Sequence, residues 1–318
     1  MSTEKQYRYL FGPVPSRRLG RSLGVDLSPH KTCTLDCVFC QLGAGYAPSA
    51  VPCEPIPVQA VLDELADWIR EDGRADWITL SGSGEPTLHA RFGEIIAFAR
   101  QASNLPVALL SNGTLFFRPE VRQAASRANL VKLSLSAWDR ASFQAVNRPH
   151  PDMDFDAIVA GYRTFRALFT GTLWLEVFLV PGLNARPEDV AKIAALARAV
   201  QPDKIQLNTA VRPPAETFVH PLPLPNMQAL AALFDPPAEI IADYRSQPGA
   251  ARAVDGHAIL ALLRRHPATA KDIAAMTDRP SDEIAPILQA LLDSGQARLD
   301  MNDTQAGHYR ATRSDERR

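Results

Sequence analysis

The chain has 318 residues, with 34 lysines and arginines against 35 aspartates and glutamates and a formal net charge of −1. Hydrophobic residues make up 46% and charged residues 22%, as in an ordinary globular protein rather than a disordered chain, and the length suffices for one large domain plus a small one. The balanced charge excludes a global basic field for nucleic acid, and no run approaches the ~18 apolar residues of a membrane span, so we expect a cytoplasmic protein without a membrane segment.

The N-terminal segment, residues 7–24, is rich in glycine and proline and carries Arg17, Arg18 and Arg21. We predict a shaped loop with a local positive charge. The arginines are either solvated or contact an anion, such as a substrate phosphate or carboxylate. The sequence leaves both interpretations open.

Three of the four cysteines follow at Cys33, Cys37 and Cys40, in the spacing C-x3-C-x2-C. Cysteine thiolates are the usual ligands of iron–sulfur clusters, and three ligands leave one iron of a four-iron cluster open. A structural zinc site normally takes four ligands, and disulfide frameworks are typical of small secreted chains, so both alternatives fit less well. Cys53 stands alone, which predicts a buried or idle thiol, with a redox or substrate-linked role as the alternative.

Short strand-like segments alternate with helical patterns through the first two thirds of the chain. The apolar residues of Val58–Arg70 and of Pro187–Val200 fall on one helical face. Strands that alternate with helices predict βαβ units and the parallel sheet of an α/β protein. The predicted strands are Ser22–Ser28, Trp77–Gly82, Val107–Asn112, Val131–Ser136, Leu173–Val180 and Ile205–Val211.

Four of these strands alternate between apolar and polar residues, although a parallel strand covered on both faces should be almost continuously apolar. The second strand carries Thr79 and Ser81 at alternate positions, and the fourth carries Lys132, Ser134 and Ser136. In a sheet covered by helices on its outer face, these polar residues must point into a lumen. We therefore predict a binding cavity inside the sheet rather than a packed core.

The composition changes after Arg212. Residues 213–253 are rich in proline, which predicts an extension and linker with short helices near Asn226–Phe234 and Ala238–Arg245. This segment separates a first domain, residues 1–212, from the C-terminal part of the chain.

Residues 254–318 are predicted to form a second domain of three helices and a hairpin, with strands Ala297–Met301 and Gly307–Thr312. Such an arrangement is typical of a winged helix-turn-helix, a module that often binds DNA through its last helix. Here that helix carries acidic rather than basic residues, which is unfavourable for phosphate contact. DNA binding is therefore expected less than docking of a protein or RNA partner, or packing between domains.

Two segments together carry a resemblance to a known family. The three cysteines with Phe39 match the cysteine loop of the radical S-adenosylmethionine (radical SAM) superfamily, and Ser81–Pro86 resembles its Gly-Gly-Glu-Pro-like segment. The resemblance implies a partial (β/α)6 barrel, a [4Fe–4S] cluster, S-adenosylmethionine, and an electron donor such as flavodoxin or ferredoxin. It also implies reductive cleavage of S-adenosylmethionine to a 5′-deoxyadenosyl radical, which abstracts hydrogen from a substrate.

The same resemblance implies roles for individual side chains. Cys33, Cys37 and Cys40 would be the cluster ligands. The residues that would contact S-adenosylmethionine are Phe39 against the adenine, Gly84 and Glu85 at the methionine amino group, and Asn112 and Ser136 at the ribose and carboxylate.

Glu176 and Arg212 are the candidate catalytic residues. Glu176 would orient the ribose or the substrate; a structural ion pair with an interior cation such as Lys132 is the alternative. Arg212, together with Asn208, is a candidate for substrate contact.

Within the superfamily, residues 7–212 look most like the branch of wyosine-type tRNA-modifying synthases, chiefly through the run Phe11–Gly20. Those synthases hold a second cluster with three additional cysteines, whereas this chain has only Cys53 to spare. Two functions stay open. One is an enzyme acting on an unidentified substrate, such as an RNA base or a nucleotide-like metabolite; the other is a redox-responsive regulator that binds DNA. The polar lumen and Glu85 favour the enzyme.

Overall fold

The structure is a computed structural model and describes residues 7–16, 18–28, 31–45, 47–241, 256–263, 267–277, 279–301 and 307–312. An eight-stranded sheet runs in sequence order from β1 to β8, and β2 to β8 are parallel to one another. This confirms the predicted parallel α/β sheet. The strands are β1 Leu10–Ser16, β2 Gly20–Val25, β3 Trp77–Leu80, β4 Val107–Leu110, β5 Leu130–Ser134, β6 Thr172–Phe178, β7 Lys204–Asn208 and β8 Glu239–Ile240.

Strand β1 corrects the loop predicted for the N-terminal segment. It pairs antiparallel with β2, and the register shifts between Phe11 and Val14. Glycine and proline are typical of loops, so the sequence pattern did not predict this strand. Both residues are nevertheless tolerated at a sheet edge or bulge, where fewer ladder hydrogen bonds are required.

Within residues 47–241, all of which the structure describes, seven helices connect these strands. Helix α1 buries Val58, Val61, Leu65 and Trp68 on one face, as its periodicity predicted. The helices are α1 Val58–Glu71, α2 Phe92–Ala102, α3 Pro119–Ala125, α4 Arg140–Asn147, α5 Phe155–Leu168, α6 Pro187–Val200 and α7 Leu224–Ala231. None of the helices in the described part of the chain combines the length and apolar character needed to cross a lipid bilayer.

The helix predicted over Ala238–Arg245 is wrong in its first part, because Glu239–Ile240 forms β8 on the edge of β7. The open edge of β7 offers backbone hydrogen bonds that outweigh the local helical pattern. Residues 242–245 of that prediction lie outside the described residues.

The two faces of the sheet differ as the alternation predicted. Leu23 and Ile78 are fully buried in the core between sheet and helices. Their neighbours Ser22 and Thr79 point the other way, and their hydroxyl oxygens lie 2.6 Å apart. Together with other polar residues they line an internal cavity of about 440 Å³. The predicted polar lumen is therefore present.

The C-terminal part contains helices α8 Gly256–Leu263, α9 Ala270–Thr277 and α10 Ser281–Asp293, followed by the antiparallel hairpin β9 Ala297–Met301 and β10 Gly307–Ala311. These elements have an apolar core of their own, which also packs against Val14 of β1. The predicted elements are therefore present among the described residues, whereas the domain boundaries and the winged-helix assignment stay predictions.

Candidate active site

The cysteine loop follows the carboxyl end of β2 and is held by backbone hydrogen bonds to distant segments. The amide of Glu85 donates to the carbonyl of Thr32 at 2.9 Å, and that of Asp36 donates to Asn147 at 3.1 Å. Within the loop, the Cys40 amide donates to the Cys37 carbonyl at 3.0 Å. The loop is thus fixed on two sides by the segments that follow β3 and α4.

Two of the three thiols accept hydrogen bonds from asparagine side chains. Asn112 Nδ2 lies 3.4 Å from Cys33 Sγ, and Asn147 Nδ2 lies 3.2 Å from Cys37 Sγ. Burial, together with the charge of Glu85, raises the pKa of Cys33 to about 12. Burial and the neighbouring cysteines also raise the pKa of Cys37. A thiol must lose its proton to bind a metal, so cluster binding at these cysteines would release protons.

Lys31 brings a positive charge to the same loop. Its side chain is buried, and its ammonium pairs with Asp36 and donates to the carbonyl of Gly43 at 2.5 Å. Burial opposes this charge, but Cys40, Asp36 and Cys33 together raise the Lys31 pKa. The sequence interpretation missed Lys31, because nothing in its spacing marks it as a neighbour of the cysteines.

The segment after β3 places a glycine and a carboxylate against this loop. Thr32 and Gly84 form a parallel β-bridge. A Cβ atom at Gly84 would lie 2.0 Å from the carbonyl oxygen of Thr32 and 2.6 Å from Ser28 Oγ, so only glycine fits here. Close backbone approach is a common reason for glycine at a binding site.

Glu85 is 2% exposed and its carboxylate is satisfied by uncharged donors. Oε1 accepts from Thr87 N, Thr87 Oγ1 and Ser111 Oγ at 3.0, 2.6 and 2.7 Å, and Oε2 accepts from the Asn112 amide at 2.7 Å. These bonds fix the carboxylate in the cavity wall, where Gly84, Ser111 and Asn112 also lie. The sequence missed Ser111, which follows β4 beside the predicted Asn112.

Phe39 and Ser136 lie in the same cavity wall, near the ends of β5 and β6. The Phe39 ring stacks on Phe178 with centroids 3.9 Å apart and an interplanar angle of 9°. Ser136 Oγ accepts a hydrogen bond from the Phe178 amide at 2.9 Å. The site therefore offers a flat apolar surface beside the cysteine loop.

We call Cys33, Cys40, Gly84, Glu85 and Asn112 the cysteine end of the cavity, since all five line it. Cys37 belongs to the loop but not to the lining. Cys53 lies elsewhere: it is exposed, so of the predicted buried or idle thiol the burial is excluded and the idle thiol stays a prediction, and its backbone pairs with His89.

The opposite end of the cavity is charged. Glu176 Oε1 accepts hydrogen bonds from Arg18 Nη2 at 2.6 Å and Asn208 Nδ2 at 2.9 Å, and Oε2 lies 2.9 Å from Lys132 Nζ. Arg18 Nε also donates to Gln206 Oε1 at 3.0 Å. Burial disfavours ionised Glu176, but Arg18 and Lys132 lower its pKa well below the ordinary value. We call these five residues the charged floor.

The charged floor bears on two open interpretations, while the catalytic role of Glu176 stays a prediction. The ion pair between Glu176 and Lys132 is present, and Arg18 joins it from the turn between β1 and β2. Arg21 instead lies at the surface, where its side chain donates to the carbonyl of Arg74 at 3.2 Å, and Arg17 lies outside the described residues. Arg212 lines the cavity, and its contact with substrate stays a prediction.

A sequence profile described as "Radical SAM superfamily" matches residues 27–197, which is more than half of the chain and includes both the cysteine loop and Glu85. The chain belongs to the radical SAM superfamily. It is therefore a radical SAM enzyme, and its cofactors are a [4Fe–4S] cluster and S-adenosylmethionine, as the resemblance implied.

Relatives of this radical SAM chain cover different parts of it. A UPF0026 protein of Methanocaldococcus jannaschii is 31% identical over 227 residues, which are 71% of this chain and 70% of that protein. A GTPase Obg of Brachyspira hyodysenteriae is 33% identical over 293 residues, 91% of this chain, but the chain spans only 43% of that protein. The crystal structure of a radical SAM methyltransferase from Sphaerobacter thermophilus matches with a TM-score of 0.50 at 18% identity, over 70% of this chain and 66% of that one. At that identity the match shows the radical SAM fold alone.

The donors of the cysteine end fit the radical SAM cluster. Three thiols in one loop provide the sulfur ligands that iron–sulfur clusters require, and hydrogen bonds to those sulfurs are a regular feature of such sites. Among the described residues, no three His, Cys, Asp or Glu side chains could hold a single metal ion. A four-iron cluster makes a different demand, because each thiolate binds a separate iron atom.

Proposed function

We propose that Cys33, Cys37 and Cys40 hold the cluster, that S-adenosylmethionine binds between the cysteine end and Phe39, and that the substrate occupies the rest of the lumen. When bound, the two cofactors supply a 5′-deoxyadenosyl radical that abstracts hydrogen from the substrate. One observation carries the proposal: the bridge between Thr32 and Gly84 joins the thiols to Glu85 at one end of a polar cavity.

The residues of the cysteine end would bind and orient S-adenosylmethionine. Glu85 offers a carboxylate that is held rigidly by Thr87, Ser111 and Asn112 and is suited to the positively charged methionine amino group. The Phe39 ring, supported by Phe178, offers a flat apolar face to the adenine. Because these groups are already fixed by internal contacts, little ordering would be required when the cofactor binds.

The proposed substrate is an RNA base or a nucleotide-like metabolite. A cavity of about 440 Å³ is within the range of sites that enclose a small ligand, so only the reacting part of a larger substrate would enter. The narrower likeness to wyosine-type synthases over residues 7–212 is consistent with a nucleobase. With Cys53 exposed at the surface, a second cluster of the kind those synthases hold is not proposed.

Flavodoxin or ferredoxin in the cytoplasm would supply the electron. The C-terminal module would dock a protein or RNA partner as a winged helix. The alternative of a DNA-binding regulator is not proposed, because a sensor has no need of a cavity beside its cluster.

Anaerobic cleavage of S-adenosylmethionine tests the proposal. The chain is loaded with iron and sulfide, reduced with dithionite, and incubated with S-adenosylmethionine; chromatography should then detect methionine and 5′-deoxyadenosine. A loaded, brown protein that forms neither product would contradict the proposal. Comparing small molecules and RNA modifications in cells with and without the chain would then identify the substrate.

A further inference from the structure

The charged floor contains more positive than negative charge. Among the described residues that line the cavity, Glu176 and Glu85 are the carboxylates. Glu85 is held by the donors of the cysteine end, so Glu176 alone faces both Arg18 and Lys132. One carboxylate neutralises one of these two cations, and the floor keeps a surplus positive charge.

This surplus is enclosed. The side chains of Arg18, Lys132 and Glu176 are only 14%, 11% and 12% exposed. An uncompensated charge taken out of water costs several kcal/mol. An anion that binds in the cavity beside this charge would compensate it, and the cost of burying the charge would then fall.

Both cations have more side-chain donors than described partners. Lys132 Nζ has three donors; the contacts described for it are Glu176 and, at 3.4 Å, Ser134 Oγ. Arg18 has five side-chain donors, and those with described partners are Nε, to Gln206, and Nη2, to Glu176. Glu176, in contrast, already accepts from three residues.

The strand positions of the two cations set them apart from the cysteine loop. Arg18 lies at the amino end of β2, whereas the cysteine loop follows its carboxyl end. Lys132 is the third residue of β5, below Ser136 in the cavity wall. We propose that Lys132 and Arg18 bind an anionic group of the substrate, a carboxylate or a phosphate. The inference rests on the proposed function only in that it takes the bound molecule to be the substrate.

Direct binding of two probes tests this inference without any radical chemistry. Malonate and inorganic pyrophosphate are titrated into the full chain at low ionic strength by calorimetry, without reductant. Saturable binding of malonate alone would indicate a carboxylate, and binding of pyrophosphate alone a phosphate; either result supports the proposal. If neither probe binds saturably up to about 10 mM, its binding free energy is weaker than about 3 kcal/mol. That result overturns the proposal.

Two substitutions at the floor should act in opposite directions. Lys132→Met leaves Arg18 paired one to one with Glu176 and should weaken probe binding about tenfold or more, the loss of one charge-assisted hydrogen bond. Glu176→Gln removes the competing carboxylate and should tighten binding. Lys192→Met, at an exposed position on α6, is the matched control and should change nothing. If the ion pair is purely structural, neither floor variant should alter the probe affinity. That result would refute the inference, and so would weaker probe binding by Glu176→Gln.

Thermal unfolding of each variant checks that it is folded. If Lys132→Met proves unstable, Lys132→Arg replaces it; this variant keeps the charge and should retain probe binding.

A competition titration guards against confusion with the cofactor: displacement of the probe by S-adenosylmethionine would assign the floor to the cofactor and overturn the proposal. The two hypotheses fail separately. Probe binding without S-adenosylmethionine cleavage counts against the proposed function, and cleavage without probe binding counts against the anion site.

Discussion

The two ends of the cavity are built by different physical means. At the cysteine end, uncharged hydroxyl, amide and backbone donors fix Glu85 and hold the thiols. At the charged floor, two cations share one carboxylate. Neutral donors give a rigid, directional site that is suited to one fixed ligand. An unequal set of charges leaves a net potential that selects ligands by their sign.

Removing a thiol of the cysteine loop should have the largest effect. Cys37→Ala should abolish both the colour of the reconstituted cluster and the cleavage of S-adenosylmethionine, because two remaining thiolates cannot hold three irons. Iron analysis and the assay for 5′-deoxyadenosine check this. Cys53→Ala, at an exposed thiol outside the cavity, is the control and should leave both unchanged. Equal iron content in the two variants would show that the ligands have been misassigned.

Removing Glu85 tests whether the cysteine end depends on neutral donors. Glu85→Ala orphans Thr87, Ser111 and the Asn112 amide in a buried site, and each unsatisfied group costs ~1–3 kcal/mol. We expect the free energy of unfolding to fall by about 4 kcal/mol and cleavage of S-adenosylmethionine to be lost. Urea denaturation measures the first effect. Glu120→Ala, at an exposed position on α3, should cost far less; a similar loss in both variants would contradict the role of these donors.

At the floor, the corresponding test is Glu176→Gln, which leaves two cations without a counter-charge. Removing one partner of a buried ion pair costs about 3 kcal/mol, and we expect this loss of unfolding free energy at neutral pH. Because Arg18 and Lys132 lower the pKa of Glu176 in the folded chain, its stabilisation is present above the unfolded-state pKa of about 4.3 and is lost as the pH falls below it.

The difference between wild type and Glu176→Gln should therefore be constant from neutral pH down to about 5 and narrow in more acidic solution. Urea denaturation across this range checks it. A difference that widens as the pH falls would show that the carboxylate is not stabilised in its charged form.

The sequence predicted the cysteine end better than the charged floor, because the residues of the floor lie far apart along the chain. Most of the cysteine end comes from two contiguous segments, residues 33–40 and 81–86, whose residue types and spacing are visible directly; Asn112 joins them from the end of β4. The floor joins Arg18 to Glu176 and Gln206 across separations of 158 and 188 residues. Alternating polar residues predicted that a lumen exists, but not which strands face one another across it. Strand β1 was predicted as a loop for a different reason: it contains glycine and proline, and its register with β2 shifts between Phe11 and Val14.

Asn147 is another residue that the sequence did not reveal, because it lies 110 positions from the thiol that it contacts. Its Nδ2 donates to Cys37 Sγ at 3.2 Å, and a donor to a ligand sulfur stabilises the more negative, reduced cluster. Asn147→Ala should therefore make the cluster harder to reduce and lower iron retention about tenfold, in line with the loss of other groups that orient metal ligands. An anaerobic redox titration followed by electron paramagnetic resonance measures the potential. Asn226→Ala, at an exposed position on α7, is the control. If the potential of Asn147→Ala is unchanged or rises, the hydrogen bond does not tune the cluster, and the cysteine end owes its reactivity to the thiols and Glu85 alone.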